Sequence, residues 1–177
     1  MEKMRQEDAV MNRISKENYY LDIAETVLER ATCLRRVYGA IIVKNDEIIS
    51  TGYNGAPRGR ANCVDMGYCS REAMGVPRGQ RYEICRAVHA EANAIISASR
   101  RDMVGGTIYL VGRDARTGVL LGDATSCMMC RRMVINAGLE KVVIRRTETE
   151  FEVVDVEEWI AEDDLPKFDP DEILSKM

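Results

Sequence analysis

A chain of 177 residues, 46% hydrophobic and 31% charged, has the composition of one soluble globular domain long enough to bury a core. Its net charge of −4 argues against a nucleic-acid binder, which needs cationic surface to displace counterions, and no apolar run approaches the length of a membrane span. The opening MEKMRQEDAVMNRI holds no apolar stretch suited to a secretory signal, so a cytoplasmic protein with reduced thiols is expected, and its six cysteines need a role other than disulfides.

In chain order, Ser15 is placed to cap a helix within SKENYYLDIAETVLERAT, where Tyr20, Ile23, Ala24, Val27 and Leu28 fall on one face. Two β-branched runs, 40–43 and 47–50, flank Lys44, Asn45 and Asp46 and read as a hairpin. Residues 54 to 84 carry several glycines and prolines with little periodicity. They read as a long loop, and such a loop is functional or is fastened by something other than a core. AVHAEANAIISASRR then reads as a helix, GGTIYLVG as a buried strand, and RDARTGVLLGDAT as a surface excursion with a short extra strand at 119–121. SCMMCRRMVINAG is a helix stopped by Gly138, and LEKVVIRR is a strand. From Thr147 the chain turns acidic (EEW, AEDD, DPDE), with room for a last strand, FEVVDV, and a short terminal helix. The order β-β-α-β-α-β predicts an α/β fold with helices packed on a central sheet. One domain over 1–177 is expected, with a Cys-rich loop at about 54–85 and an acidic extension from about 147.

The chemistry concentrates in two short motifs. His89, the single histidine of the chain, lies at a predicted helix start in CRAVHAEANAI, two residues before Glu91. Cys127 and Cys130 form a CxxC at the start of another helix. Three N/S ligands from two helix starts suit a zinc ion with one position left for water, and partial positive charge at a helix N-terminus favours thiolate over thiol. Glu91 is placed to accept a proton from such a water without itself binding the metal. Taken singly, a CxxC is as well read as a redox pair or buried thiols, and an HxE arises often by chance. The combination of HAE, strand and CxxC is far more specific, and matches an H-x-E…C-x-x-C deaminase signature.

At these residues the chain resembles the zinc-dependent cytidine/deoxycytidylate deaminase superfamily, and most closely its deoxycytidylate (dCMP) deaminases. The resemblance runs from about Tyr19 to Ile144 and is carried most strongly by TCLRRVYGAIIVKNDEIISTGYNGAP and CRAVHAEANAI. It implies a three-layer α-β-α fold, with a mixed five-stranded sheet and helices on both faces, and a homo-oligomer, often a hexamer. It also implies hydrolytic removal of the 4-amino group of dCMP to give dUMP and ammonia. Carried over to this chain, His89, Cys127 and Cys130 hold the catalytic zinc, and Glu91 moves protons between water, the ring N3 and the leaving amine. Asn54 in GYNG meets the sugar, the Ala90 backbone N–H meets the pyrimidine carbonyl, and Arg100 lies near the phosphate; a solvated helix-end charge is the plain alternative for Arg100. In regulated relatives the GYNG segment lies at an effector site, which would involve Asn54 and Gly55; otherwise Asn-Gly marks only a tight turn.

The chain departs from the family pattern in three places. Ser126 stands where a proline usually precedes the first CxxC cysteine, and serine is a good N-cap. The excursion at 113–125 intervenes before the CxxC and lies where it would shape the pocket mouth, and RRTETEF follows the next strand where an aromatic is common. The remaining cysteines, Cys33, Cys63, Cys69 and Cys85, match in part the ligands of a second, structural zinc that ties the loop to the first helix in some relatives; ordinary buried thiols are the alternative. Two other functions compete: a deaminase of another cytosine or purine nucleoside or base, and a non-enzymatic zinc-held binding module. The second has no use for Glu91 beside an open metal position.

Overall fold

The computed structural model of this chain describes residues 13–77 and 79–162. The acidic run DPDE and the first twelve residues lie outside the described residues. Helix α1 (Lys16–Leu28) begins where the sequence places it: Ser15 Oγ accepts the backbone N–H of Asn18 at 3.2 Å. Strands β1 (Arg36–Lys44) and β2 (Glu47–Tyr53) form the expected hairpin. Asn45 and Asp46 both adopt positive φ, which these two residue types tolerate better than most and which a two-residue hairpin turn demands. β1 starts several residues earlier than its β-branched run suggests, because it pairs along its whole length with β3 (Thr107–Asp114).

The sheet is completed by β4 (Lys141–Arg145) and β5 (Phe151–Asp155), in the order β2-β1-β3-β4-β5. β3 and β4 are parallel and the other neighbours antiparallel, so the five-stranded sheet is mixed, as expected. Alternation along the strands divides the core in two. Ile41, Val43, Tyr109, Val111 and Val143 face α1 through its Tyr20, Leu21, Ala24 and Leu28. Ala40, Ile42, Ile108, Leu110, Val142 and Ile144 face the other way, toward α4 (Ala90–Ile96), α5 (Arg100–Met103), α6 (Met128–Ala137) and α7 (Val156–Glu162). The result is three layers, with one helix on one face and the site-bearing helices on the other.

Three expectations need correction. The long loop is not featureless: it contains the one-turn helices α2 (Cys63–Met66) and α3 (Ser70–Ala73) and a 3-10 turn at Tyr82–Ile84. Asn62 and Asp65 form a capping box at α2, Thr32 Oγ1 bonds Asn62, and Arg86 Nε donates to the Ala61 carbonyl, so local polar bonds replace the missing apolar periodicity. The helix expected through SASRR stops at Ile96 and restarts at Arg100. The Ser97 hydroxyl donates to the Asn93 carbonyl, and Ser99 caps the next turn, so both serines compete for backbone groups that a continuous helix would use. The extra strand at 119–121 reduces to one bridge, Arg113 to Leu120, within a turn built on Asp114 Oδ1, which accepts from Arg116 N and Thr117 N.

Gly52 in β2 fixes how closely α4 approaches the sheet. A Cβ there would overlap the Ala90 carbonyl and the Ala94 amide. We expect Gly52→Ala to lower stability by about 1–3 kcal/mol through overpacking, read as a shift in the urea unfolding midpoint at unchanged m-value, with reduced metal retention at His89 because α4 must move.

Candidate metal centre and active-site cavity

His89 and Cys127 are the N-cap residues of α4 and α6, and neither makes a side-chain capping bond. Their side chains turn toward each other instead. His89 Nδ1 lies 3.4 Å from Cys127 Sγ and 3.4 Å from Cys130 Sγ, and the three ligand atoms fall within 4.8 Å of one another. A tetrahedral zinc with Zn–N of about 2.0 Å and Zn–S of about 2.3 Å spaces its N and S ligands at about 3.5 Å, so this donor set fits the ion in chemistry and separation. Among the described residues this is the one group of three such ligands so arranged.

The chain path into His89 is held from both sides. Gly55 and Val88 exchange backbone hydrogen bonds of 3.1 and 2.8 Å, anchoring the residue before His89 to the GYNG turn. The Tyr82 ring meets the imidazole edge-on at 5.1 Å, and the Arg71 guanidinium lies 4.5 Å over Tyr82. Imidazole orientation is thus fixed by packing rather than by a capping bond.

Glu91 sits one turn inside α4 and is buried, 5% exposed. Burial pushes its carboxyl pKa up, opposed by the His89 imidazole nearby. The Ser126 hydroxyl, also buried, lies on the Glu91 side of the site without full hydrogen-bond geometry to any described partner. Ser126 does not cap α6 as expected; Cys127 takes that position, and the Ser126 carbonyl accepts from Arg131 Nε. Its hydrogen bond to Cys130 holds the Cys127 thiol low, while the same bond, with burial, pushes Cys130 up. The hydrogen bond to Cys127 raises His89 against the opposing effect of burial.

The triad opens into a cavity of about 120 Å³ that Ala90, Glu91, Asn54 and Tyr38 also line. Tyr38 pairs with Gly112 across β1 and β3, and the missing side chain of Gly112 gives its ring a place to lie. Asn54 is buried: its Oδ1 accepts from Tyr38 N and its Nδ2 donates to the Arg36 carbonyl, both at 2.8 Å. Much of its amide is therefore spent holding the end of β1. Gly55 likewise serves here to position Val88. Arg100 does not line the cavity. Its Nε donates to the Asn136 carbonyl at 2.9 Å, near the far end of α6, so within this chain it closes a helix end rather than facing the site.

Cys33, Cys69 and Cys85 line the same cavity, and Cys63 feels the charge of all three, so the four thiols gather in one region. No three of them approach as closely as the His89 triad. Sequence reading missed Arg35, Arg36, Arg71, Tyr38, Tyr82 and Thr125, all cavity-lining. They come from β1 and the residue before it, the long loop and the excursion at 113–125, and no local motif links them.

A helix-borne His/Cys/Cys metal site with a buried carboxylate beside it, under a mixed five-stranded sheet, defines a metal-dependent hydrolase of the deaminase type. Residues 14–146 match the family model described as the cytidine and deoxycytidylate deaminase zinc-binding region, and the chain belongs to that family. The deoxycytidylate deaminase of Mycobacterium phage D29 is 36% identical over 138 residues, covering 75% of this chain and 96% of that protein. The deoxycytidylate deaminase of Schizosaccharomyces pombe is 32% identical and covers 74% of this chain, which spans 37% of that longer protein. Among solved structures, the dCMP deaminase of cyanophage S-TIM5 in complex with dCMP and dUMP aligns with a TM-score of 0.52 at 25% identity, over 75% of this chain and 84% of that one. The cytidine deaminase of Burkholderia pseudomallei, at 19% identity and a TM-score of 0.53 over 81% of this chain and 95% of its own, shares the fold. No helix among the described residues is long and apolar enough to cross a membrane.

Because the hydrogen bond to Cys127 and burial push the Cys130 thiol up, and a cation is bound by thiolates, metal binding at this site should release about one proton or more per ion near neutral pH, and affinity should fall as pH drops. Calorimetry of zinc binding in buffers of different ionisation enthalpy measures that release; a buffer-independent enthalpy would contradict it.

Proposed function

We propose that this chain catalyses the hydrolytic deamination of dCMP to dUMP and ammonia. The observation that carries this reading is the buried Glu91 carboxyl beside the His89, Cys127 and Cys130 donor set at the wall of a cavity. The deoxycytidylate deaminases among its relatives, and the likeness to a structure holding dCMP and dUMP, support the nucleotide as substrate.

When bound, zinc supplies Lewis acidity that lowers the pKa of water toward about 7. The residues of this chain do the rest. Glu91, whose burial raises its proton affinity, takes a proton from the attacking water and delivers it to the ring N3; it then takes the remaining proton from the new C4 hydroxyl and hands it to the 4-amino group, so that the C4–N bond breaks, ammonia leaves and the C4 carbonyl forms. The Ala90 backbone N–H has no acceptor within its helix and is offered to the pyrimidine carbonyl. Asn54 turns its remaining amide hydrogen toward the sugar while its other contacts hold β1.

Cys33, Cys63, Cys69 and Cys85 belong to the same reading as ligands of a second, structural zinc that draws the long loop onto the end of α1. Their gathering in one region supports it. Cytoplasmic residence fits thiols that are all free. Assembly into a homo-oligomer fits the exposed apolar side chains of Ile96, Val153 and Ile160.

Glu91→Ala should cut dCMP turnover by about 10²–10⁴-fold while zinc stays bound, measured by ammonia release and metal analysis; undiminished turnover would overturn the mechanism. Metal analysis should also show a second zinc per chain in the wild type, lost in Cys63→Ser together with thermal stability. A single zinc in fully loaded wild-type protein removes the structural site and leaves the catalytic one standing.

A further inference from the structure

Several arginines of the long loop, the approach to β1 and the excursion at 113–125 are already paired with carboxylates. Arg35 meets Glu72 at 2.9 Å, Arg116 meets the same carboxylate at 3.5 Å, and Arg81 meets Glu83. Two others line the cavity without one. Arg71, 6% exposed, donates to the carbonyls of Pro77 (3.1 Å) and Gln80, covers the Tyr82 ring, and keeps its Nε buried with no partner. Arg36 opens β1, is partly buried, and has no carboxylate within ion-pair distance among the described residues. Arg71 does feel the Glu83 carboxylate, though outside ion-pair distance. A half-buried cation without a paired carboxylate is costly, and that cost falls when an anion arrives.

Position separates the two. Arg71 lies close enough to Cys85 to influence its thiol, so its charge is shared with the cysteine cluster. Arg36 lines both the inner cavity, with Glu91 and Cys127, and the outer groove that leads from it along Met128 and Met129. Its guanidinium lies beside the Tyr38 hydroxyl, and Tyr38 in turn feels the charge of Glu91, so one aromatic side chain stands between Arg36 and the reacting end. Thr125, brought in by the excursion at 113–125, lines both spaces as well and adds a neutral donor. The acids Glu83 and Asp123 line only the outer groove and Glu91 only the inner cavity, so Arg36 is the charged side chain of fixed positive sign that lines both.

We propose that Arg36 is the residue that reads the 5′-phosphate of the substrate, and that this contact gives the site its preference for a nucleotide over a nucleoside. The planar guanidinium presents paired N–H donors that match two phosphate oxygens, while Arg71 supplies a second positive charge from deeper in the wall. The proposal rests on the deamination reading above, and sharpens it by replacing Arg100 with a residue that faces the cavity.

The test compares kcat/KM for dCMP and for deoxycytidine in wild type, Arg36→Met and Arg36→Lys, with zinc content and melting temperature measured on each. In Arg36→Met the ratio of dCMP to deoxycytidine kcat/KM should fall about 100-fold, the loss lying mainly in KM; in Arg36→Lys, which keeps the charge and loses the fork, it should fall about tenfold. A ratio within about threefold of wild type in a folded, zinc-loaded Arg36→Met overturns the proposal and leaves deamination intact. Should Arg36→Met fail to fold, an unchanged ratio in Arg36→Lys overturns it equally. A wild type that deaminates deoxycytidine but not dCMP refutes the nucleotide reading and this proposal together, an outcome distinct from either variant result.

Discussion

The site depends on the close approach of α4 to the sheet. Gly52 removes the one Cβ that would hold the helix away, and the backbone exchange between Gly55 and Val88 sets where the helix begins. With α4 seated there and α6 beside it on the same face, two helix starts converge and their N-cap side chains become ligands. An N-cap residue ordinarily satisfies the free N–H groups of its own helix. His89 and Cys127 give that up and turn their side chains toward each other, where with Cys130 they would hold a cation.

Electrostatics within the cavity follow from this arrangement. The donor atoms lie close together, so the bond between the two sulfurs holds Cys127 low and pushes Cys130 up, and the bond to Cys127 raises His89. Glu91, behind them and screened from water, is pushed toward the protonated form, the direction a proton carrier needs at neutral pH. Around this centre the wall carries two arginines outside the ion pairs, Arg36 from β1 and Arg71 from the long loop. The reacting groups therefore stand on regular elements, whereas groups that choose among substrates stand largely on strand ends and connections, where sequence can change at little cost to the core.

The opposite face of the sheet contributes rigidity. Arg145, nearly fully buried, reaches Asp22 and Glu25 on α1, and Arg113 reaches Glu25 and Glu148. Arg113 begins the excursion that ends at Thr125, so the segment that carries a cavity residue is tied at its root to α1. Breaking one partner of a buried ion pair leaves a charge with no compensation, so this network holds α1, β3 and β4 to a single arrangement.

How much of this was legible in the sequence depends on how far apart the cooperating residues lie. The N-cap at Ser15, the Asn45-Asp46 hairpin, the alternation of the strands and the Gly138 stop are local, and local rules predict them correctly. The metal triad was legible too, because each half is a short motif whose ligand types permit few other chemistries. The break at Ser97 was not, since helical periodicity continues through it while serine hydroxyls divert the backbone. The placement of Arg100 follows from the same break: with the helix restarted at Arg100, its Nε donates to the Asn136 carbonyl near the end of α6. By itself the sequence determined the kind of chemistry and the elements that carry it, because donor atoms and backbone preferences belong to residues singly or in short runs. Only the tertiary structure decided which arginines, tyrosines and threonine surround that chemistry, because they meet through strand pairing and loop closure, and no spacing along the chain records those distances.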